Sequence, residues 1–329
     1  LIETVGSGIP RIDFSDDTKG ALLLENSSTN LITYSEDFSN ASWTKSSSAV
    51  TITSNVAPDG TINSVYNLTG TNANLYTGGT ANIEHTISVY AKSNGQGKDN
   101  FKLRLGNSTS SSIIVTDKWV RYELTATPTT TVFGLTVDSS PNNEFDILIW
   151  GAQLEQNSYA TSYIKTVGTT QTRVADTCNQ TTASGLIGQT EGTLFVETTK
   201  WVESNNGRIL SISDGTTSNY IIIIQNTTFS NYAIYIKNGG ITQLSYSATN
   251  ALANNSKIAI SYKLNDFVIS VNGEIVHTDT NGTVPSTSKI YIGSRESGVT
   301  TYYSNNPVKS VQVYTTALSA AELTSLTTI

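Results

Sequence analysis

The sequence predicts an all-β chain folded as two tandem β-sandwiches, and three observations carry this. Charged residues are only 14% of the chain and Tyr (16) outnumbers Phe (8). Set in a background rich in Thr, Ser and Asn, that composition suits strands and polar loops better than helices. Short apolar stretches that alternate with polar residues recur at fairly regular spacing, as half-buried sandwich strands do. The length, 329 residues, exceeds what one hydrophobic core organises, so two domains of about 150 residues each are expected.

Taken in order, residues 1–30 hold two apolar stretches, Gly8 to Phe14 and Ala21 to Glu25, separated by an Asp/Gly turn cluster. They read as opening strands, an attachment segment. Residues 31–165 carry the first strand series: Val50 to Thr53, Ser64 to Leu68, His85 to Tyr90, Phe101 to Leu105, Trp119 to Leu124, Thr131 to Val137 and Phe145 to Trp150. Residues 166–188 lose periodicity and turn rich in Thr, Gly and Gln, the mark of a linker or docking strand. Residues 189–329 hold the second series, from Thr193 to Glu197 through Val308 to Tyr314, including the continuous apolar run Tyr220 to Ile224.

Two local signals are sharp. Asn272-Gly273 between alternating stretches predicts a two-residue hairpin turn, because both residues accept positive φ. Ser319 with Glu322 three residues later has capping-box spacing, which predicts a short helix closing the chain.

The formal net charge of −7 and pI near 4.9 oppose a nucleic-acid partner, which needs clustered Lys and Arg. No apolar run approaches the roughly 20 residues of a membrane helix, so membrane insertion is not expected. The single Cys178 cannot form an internal disulfide, and stability must come from the cores. The opening at Leu1, inside strand-like sequence, leads to the expectation of a processed chain or a piece of a longer one.

In the first half, Leu22 to Ile32, Tyr34 to Trp43, Pro58-Asp59-Gly60, Gly151 to Glu155 and Ala160 to Ile164 resemble the jelly-roll modules, similar to carbohydrate-binding modules, of phage tail and other virion proteins. In the second half, Gly192 to Val196, Phe267 to Glu274 and Thr316 to Leu323 resemble the concanavalin A-like, laminin-G-type sandwich. The resemblance implies a jelly roll followed by a concanavalin A-like domain, displayed on a bacteriophage particle as a fibre, spike or decoration component. It further implies other virion proteins and host-surface polysaccharide as partners, a homotrimer, and a structural calcium ion held by loop oxygens.

The residues themselves lead to the expectation of a non-enzyme. His85 and His277 fall in different domains, and Cys178 lies in the linker without the electropositive setting of a reactive thiolate. Glycoside cleavage needs paired carboxylates across the bond. Glu144-Phe145-Asp146 imitates the first half of the Glu-x-Asp-x-x-Glu strand of concanavalin A-like glucanases, but Ile149 replaces the third acid and the segment lies in the first domain.

Sugar binding uses flat aromatic faces with Asn, Asp and Arg hydrogen bonds. Trp43, Trp201, Tyr220, Tyr302 and Tyr303 are aromatics near loops, with Arg295 and Asn305 as polar partners. Arg295, Tyr302, Tyr303 and Asn305 form the candidate glycan site, and Glu36 with Asp37 is the visible acidic pair for calcium. Trp43, Trp119 and Trp150 serve equally well as core. Three readings remain open: a glycan-facing virion protein, a bacterial adhesin or binding region of a carbohydrate-active enzyme, and a purely structural spacer.

Overall fold

The computed structural model describes residues 11–14, 18–137, 143–199, 207–225, 231–248, 252, 254–294, 304 and 306–329. Among these, regular structure is strand apart from one helix, Ala320–Thr327. Every strand pairing among the described residues is antiparallel. The chain forms two compact units: Ser27–Val174 make one, and Ala175–Ile329 with Thr4–Asn26 make the other.

The first unit is built on one long strand, Val65–Gly78. Along one side it pairs with Thr44–Thr53; along the other, residues 66–71 pair with Glu144–Glu155 and residues 74–78 with Val132–Val137. The strand changes partner at a bend, where Ser47 and Asn72 take positive φ (56° and 50°) and the register of Thr44–Thr53 shifts. Gly70 sits in this bend because an added Cβ would lie 2.4 Å from the Ala73 side chain and 2.7 Å from the Ser47 carbonyl. The two halves thus close on a single core, with Leu68, Ile87, Ile147 and Ile149 from one half and Leu75, Phe101, Leu103, Phe133 and Leu135 from the other.

The ends of this unit are held by polar side chains rather than by long ladders. Asn30 is fully buried; its amide nitrogen donates to the carbonyls of Ala152 and Ile164, and its oxygen accepts from the amides of Ile32 and Leu154. Gln153 accepts from the Ile164 amide (2.6 Å) and donates to Thr161 and Ser162. The buried Glu155 accepts from Ser28 Oγ, the Thr161 amide and Thr161 Oγ1. The quoted Asn30, Gly151 to Glu155 and Ala160 to Ile164 segments therefore meet in one fully bonded knot, as burial of such groups requires.

The second unit is a two-sheet sandwich. Its seven-stranded sheet runs Ile12–Asp13, Ala21–Leu22, Val308–Tyr314, Glu191–Thr198, Lys257–Lys263, Asp266–Val271, Glu274–Asp279. Its six-stranded sheet runs Cys178–Gln180, Lys289–Ile292, Arg208–Ser213, Tyr220–Gln225, Tyr232–Asn238, Ile241–Ser247. Leu194, Val196, Ile258, Ile260, Phe267 and Ile269 face Leu210, Ile212, Ile221, Ile223, Ile234 and Ile236 across the core. The helix covers the outer face of the seven-stranded sheet, seating Leu323 on Phe195 and Ala259.

Both sharp sequence signals appear as expected. Asn272 and Gly273 (φ 51° and 87°) turn the chain between Val271 and Glu274, and Ser319 and Glu322 exchange the two bonds of a capping box. The opening residues do not stand apart: Ala21–Leu22 pairs with Val308–Tyr314, and buried Arg11 bridges Glu25 and Asp176. Residues 166–188 divide between the units, Gln171–Arg173 pairing with Ser28–Asn30 and Cys178–Gln180 with Lys289–Ile292. Strands of two or three residues carry no readable period, which is why this stretch reads as linker in the sequence.

Asn30→Ala is expected to destabilise the first unit by about 3 kcal/mol, since it strands two buried amides without an acceptor. Urea unfolding followed by tryptophan fluorescence measures this, and a midpoint equal to that of the parent chain would refute the role given to the knot.

Candidate functional site

The run Tyr220 to Ile224 is apolar throughout because its strand is covered on both faces. Ile221 and Ile223 enter the core, while Tyr220, Ile222 and Ile224 join Ala233 and Tyr235 in a separate cluster on the outer face of the six-stranded sheet. Strand register assembles that face. Arg208 lies opposite Ile224; Ile222, Tyr235 and Ser245 form a second row; Tyr220, Lys237 and Thr242 form a third.

These rows line a groove of about 300 Å³ with Ile222 and Ile224 as its floor. Tyr235 and Lys237 are half-buried, whereas Thr242 and Ser245 are exposed. The Lys237 ammonium stands 5.9 Å from the Tyr220 ring centroid, a cation–π contact. None of the described lining residues is acidic, in a chain of net charge −7. Chemically the described lining residues offer aromatic surface, hydroxyl groups and the cationic side chains of Arg208 and Lys237, and no carboxylate pair.

Of the residues singled out from sequence, Tyr220 belongs to this groove. Arg295, Tyr302, Tyr303, Asn305 and Trp201 lie outside the described residues. Trp43 and Trp150 are core side chains, and Trp119 is half-buried. Tyr235, Lys237 and Arg208 were not anticipated; the signal that could have found them is the two-sided burial of Tyr220 to Ile224, which requires something on the outer face.

Glu36 and Asp37 are neighbours whose carboxylates have separate partners. Glu36 accepts from Lys165 Nζ (2.6 Å) and the Tyr163 hydroxyl (3.2 Å). Asp37 Oδ1 accepts from the Ser39 amide and hydroxyl and from Tyr66 (2.9 Å). With a lysine ammonium already on Glu36, the pair as placed does not suit a calcium ion. Among the described residues no group of three or more His, Cys, Asp or Glu side chains converges as a metal site.

His85 and His277 sit in different units. The first contacts the Ile83 carbonyl through Nδ1 (2.8 Å), and the second packs on Tyr246. Burial pushes the Cys178 thiol above its ordinary pKa, away from the thiolate. Glu144 pairs with Lys98 (3.0 Å) and Asp146 accepts from Asn94 (2.9 Å).

No protein-family model matches the chain, and no curated protein matches it. Among solved structures it is similar to the IT-sialidase CBM40 of Ruminococcus gnavus bound to α2,3-sialyllactose, at 17% identity over 45% of this chain and 87% of that one, TM-score 0.39. It is also similar to the NanB sialidase of Streptococcus pneumoniae (15% identity, 45% of this chain, 26% of that one, TM-score 0.39). A third similar structure is the heptameric SAP-like pentraxin of Limulus polyphemus (12% identity, 41% and 68%, TM-score 0.34).

Burial disfavours the Asp37 charge, but the bonds from Ser39 and Tyr66 outweigh it and hold the carboxyl below its usual range. A depressed folded-state pKa contributes stability above the unfolded value, near pH 4, that is lost as pH falls through the folded value. Asp37→Asn should therefore be less stable than the parent chain at neutral pH, with the gap closing below about pH 4. Urea midpoints between pH 2 and 6 test this; a gap that does not vary with pH contradicts it.

Proposed function

We propose that the chain is a non-catalytic glycan-binding protein whose second unit takes a sugar chain on the outer face of its six-stranded sheet. The observation that carries this reading is the groove of Tyr220, Tyr235, Arg208, Lys237, Thr242 and Ser245. A pyranose presents an apolar C–H face that stacks on aromatic rings and a rim of hydroxyls that bond to polar side chains. The tyrosines supply the first, and Thr242, Ser245 and the cations supply the second. Its volume falls at the lower end of the range for small-ligand clefts, about 300 to 1,000 Å³.

Hydrolysis would need two carboxylates flanking the bond, and the lining offers none among the described residues. The finer part of the proposal places the chain on a bacteriophage particle, beside other virion proteins and facing host polysaccharide. That part rests on the resemblance of Leu22 to Ile32, Tyr34 to Trp43, Pro58-Asp59-Gly60, Gly151 to Glu155 and Ala160 to Ile164 to the jelly-roll modules of phage tail and other virion proteins.

On a glycan array that includes bacterial surface polysaccharides, the purified chain should bind selectively. Tyr235→Ala should weaken binding about tenfold or more, equivalent to about 1.4 kcal/mol, with its melting transition retained. Uniform silence from folded protein would overturn the reading in favour of a spacer.

A further inference from the structure

The groove of the second unit rests on a local device: Tyr235-Ile236-Lys237 projects tyrosine and lysine from one strand face, and the lysine lies opposite a cross-strand aromatic, Tyr220. The same device recurs in the first unit. Tyr90-Ala91-Lys92 lies on strand His85–Ser93, and Val120 pairs with Ala91, so that Trp119 extends the register to Lys92. The Lys92 ammonium stands 5.3 Å from the Trp119 ring centroid. Residues 56–58 complete a cleft of about 470 Å³ around Tyr90, Lys92 and Trp119.

We propose that this cleft is a second, separate binding site, and that its ligand is a pyranose sugar bearing a carboxylate. Its aromatic wall is built and held. The Trp119 indole N–H donates to the Val56 carbonyl (3.0 Å). Tyr90 packs edge-on against Trp150 and Tyr163, and the Arg121 guanidinium lies 5.6 Å from its ring centroid. Arg121 is itself fixed by Ser88 Oγ (2.8 Å) and the Thr161 carbonyl (2.5 Å).

Two polar groups of the cleft are left for a ligand. Among the described residues the Tyr90 hydroxyl has no hydrogen-bond partner and the Lys92 ammonium no carboxylate. Burial raises the Tyr90 pKa, only partly opposed by Arg121, so the phenol keeps its proton and can donate.

The lining chemistry selects the ligand class. None of the described lining side chains is acidic, so a cationic ligand would find no carboxylate there and would have to displace the like charge of Lys92 from the indole. A small inorganic anion would leave the Trp119, Ala57 and Pro58 surfaces uncovered. One lysine balances one negative charge, which disfavours the multiple charges of a nucleotide phosphate. A carboxylated pyranose satisfies all three: its C–H face covers the aromatic wall, its carboxylate takes Lys92, and a ring hydroxyl takes Tyr90. At rest the ammonium lies on the indole, a weaker contact than a charge-assisted hydrogen bond, so an arriving carboxylate can draw it away and free the ring.

The test labels the whole chain with 5-fluorotryptophan, assigns the Trp119 fluorine resonance by Trp119→Phe, and titrates with methyl β-D-glucuronide, methyl β-D-glucoside and AMP. The glucuronide should move the Trp119 resonance with a millimolar Kd, about fivefold tighter than the glucoside. Lys92→Met should abolish that preference, and Tyr90→Phe, which keeps the ring packing, should weaken binding about threefold. Tyr235→Ala should leave the Trp119 titration unchanged, so the outcome is independent of the groove in the second unit. A Trp119 resonance that none of the three moves, equal affinity for glucuronide and glucoside, or tighter binding of AMP overturns the proposal.

Discussion

A sandwich whose end strands are only two or three residues long cannot be closed by sheet ladders alone. In the first unit closure depends on the buried trio Asn30, Gln153 and Glu155, which bonds the backbone of residues 152–154 and 161–164. Burying a carboxylate such as Glu155 is tolerable only because three donors converge on it. The consequence reaches the ligand-facing surface. The trio fixes Thr161, whose carbonyl receives Arg121, and Arg121 in turn lies against Tyr90 at the cleft. A polar solution to the problem of chain ends thus also orients an aromatic wall.

The second unit meets a different constraint. Its core is filled mostly by Ile, Leu and Val, with Tyr232, Tyr262 and Phe267 among them, and Tyr220–Gln225 is buried on both faces. The inner face specifies the sandwich, and the outer face is left with apolar surface that water alone would penalise. Tyr235, Lys237 and Thr242 meet that surface as amphipathic side chains, apolar along the stem and polar at the tip. The groove is therefore a by-product of how a doubly covered strand is finished toward solvent.

Much of the architecture was legible in the sequence wherever periodicity was clean. The hairpin at Asn272-Gly273, the capped helix after Ser319 and the strands from Thr193 and Val308 all follow from local pattern. The second half of Val65–Gly78 was not legible, because Gly70 to Asn74 is polar and glycine-bearing where the strand bends. Ile241–Ser247 was missed for a related reason: as an edge strand with one buried side chain, Leu244, it shows little apolar signal. The groove was half legible. Tyr220 stood out, but Arg208, Tyr235 and Lys237 become neighbours only through cross-strand register, which no single stretch encodes.

The pairing of Ala21–Leu22 with Val308–Tyr314 makes the second unit discontinuous in sequence, with Ser27–Val174 inserted between its parts. A ribosome delivers these parts in a fixed temporal order. The inserted unit has all of its strands as soon as Val174 has left the exit tunnel and can fold at once, as domains do during synthesis. Ala21–Leu22 is made before the inserted unit and its partner Val308–Tyr314 well after it, so this pairing closes late. A product that stops before Val308–Tyr314 leaves Ala21–Leu22 and Glu191–Thr198 without the strand that lies between them, an open sheet edge of the kind that chaperones and quality-control proteases can recognise.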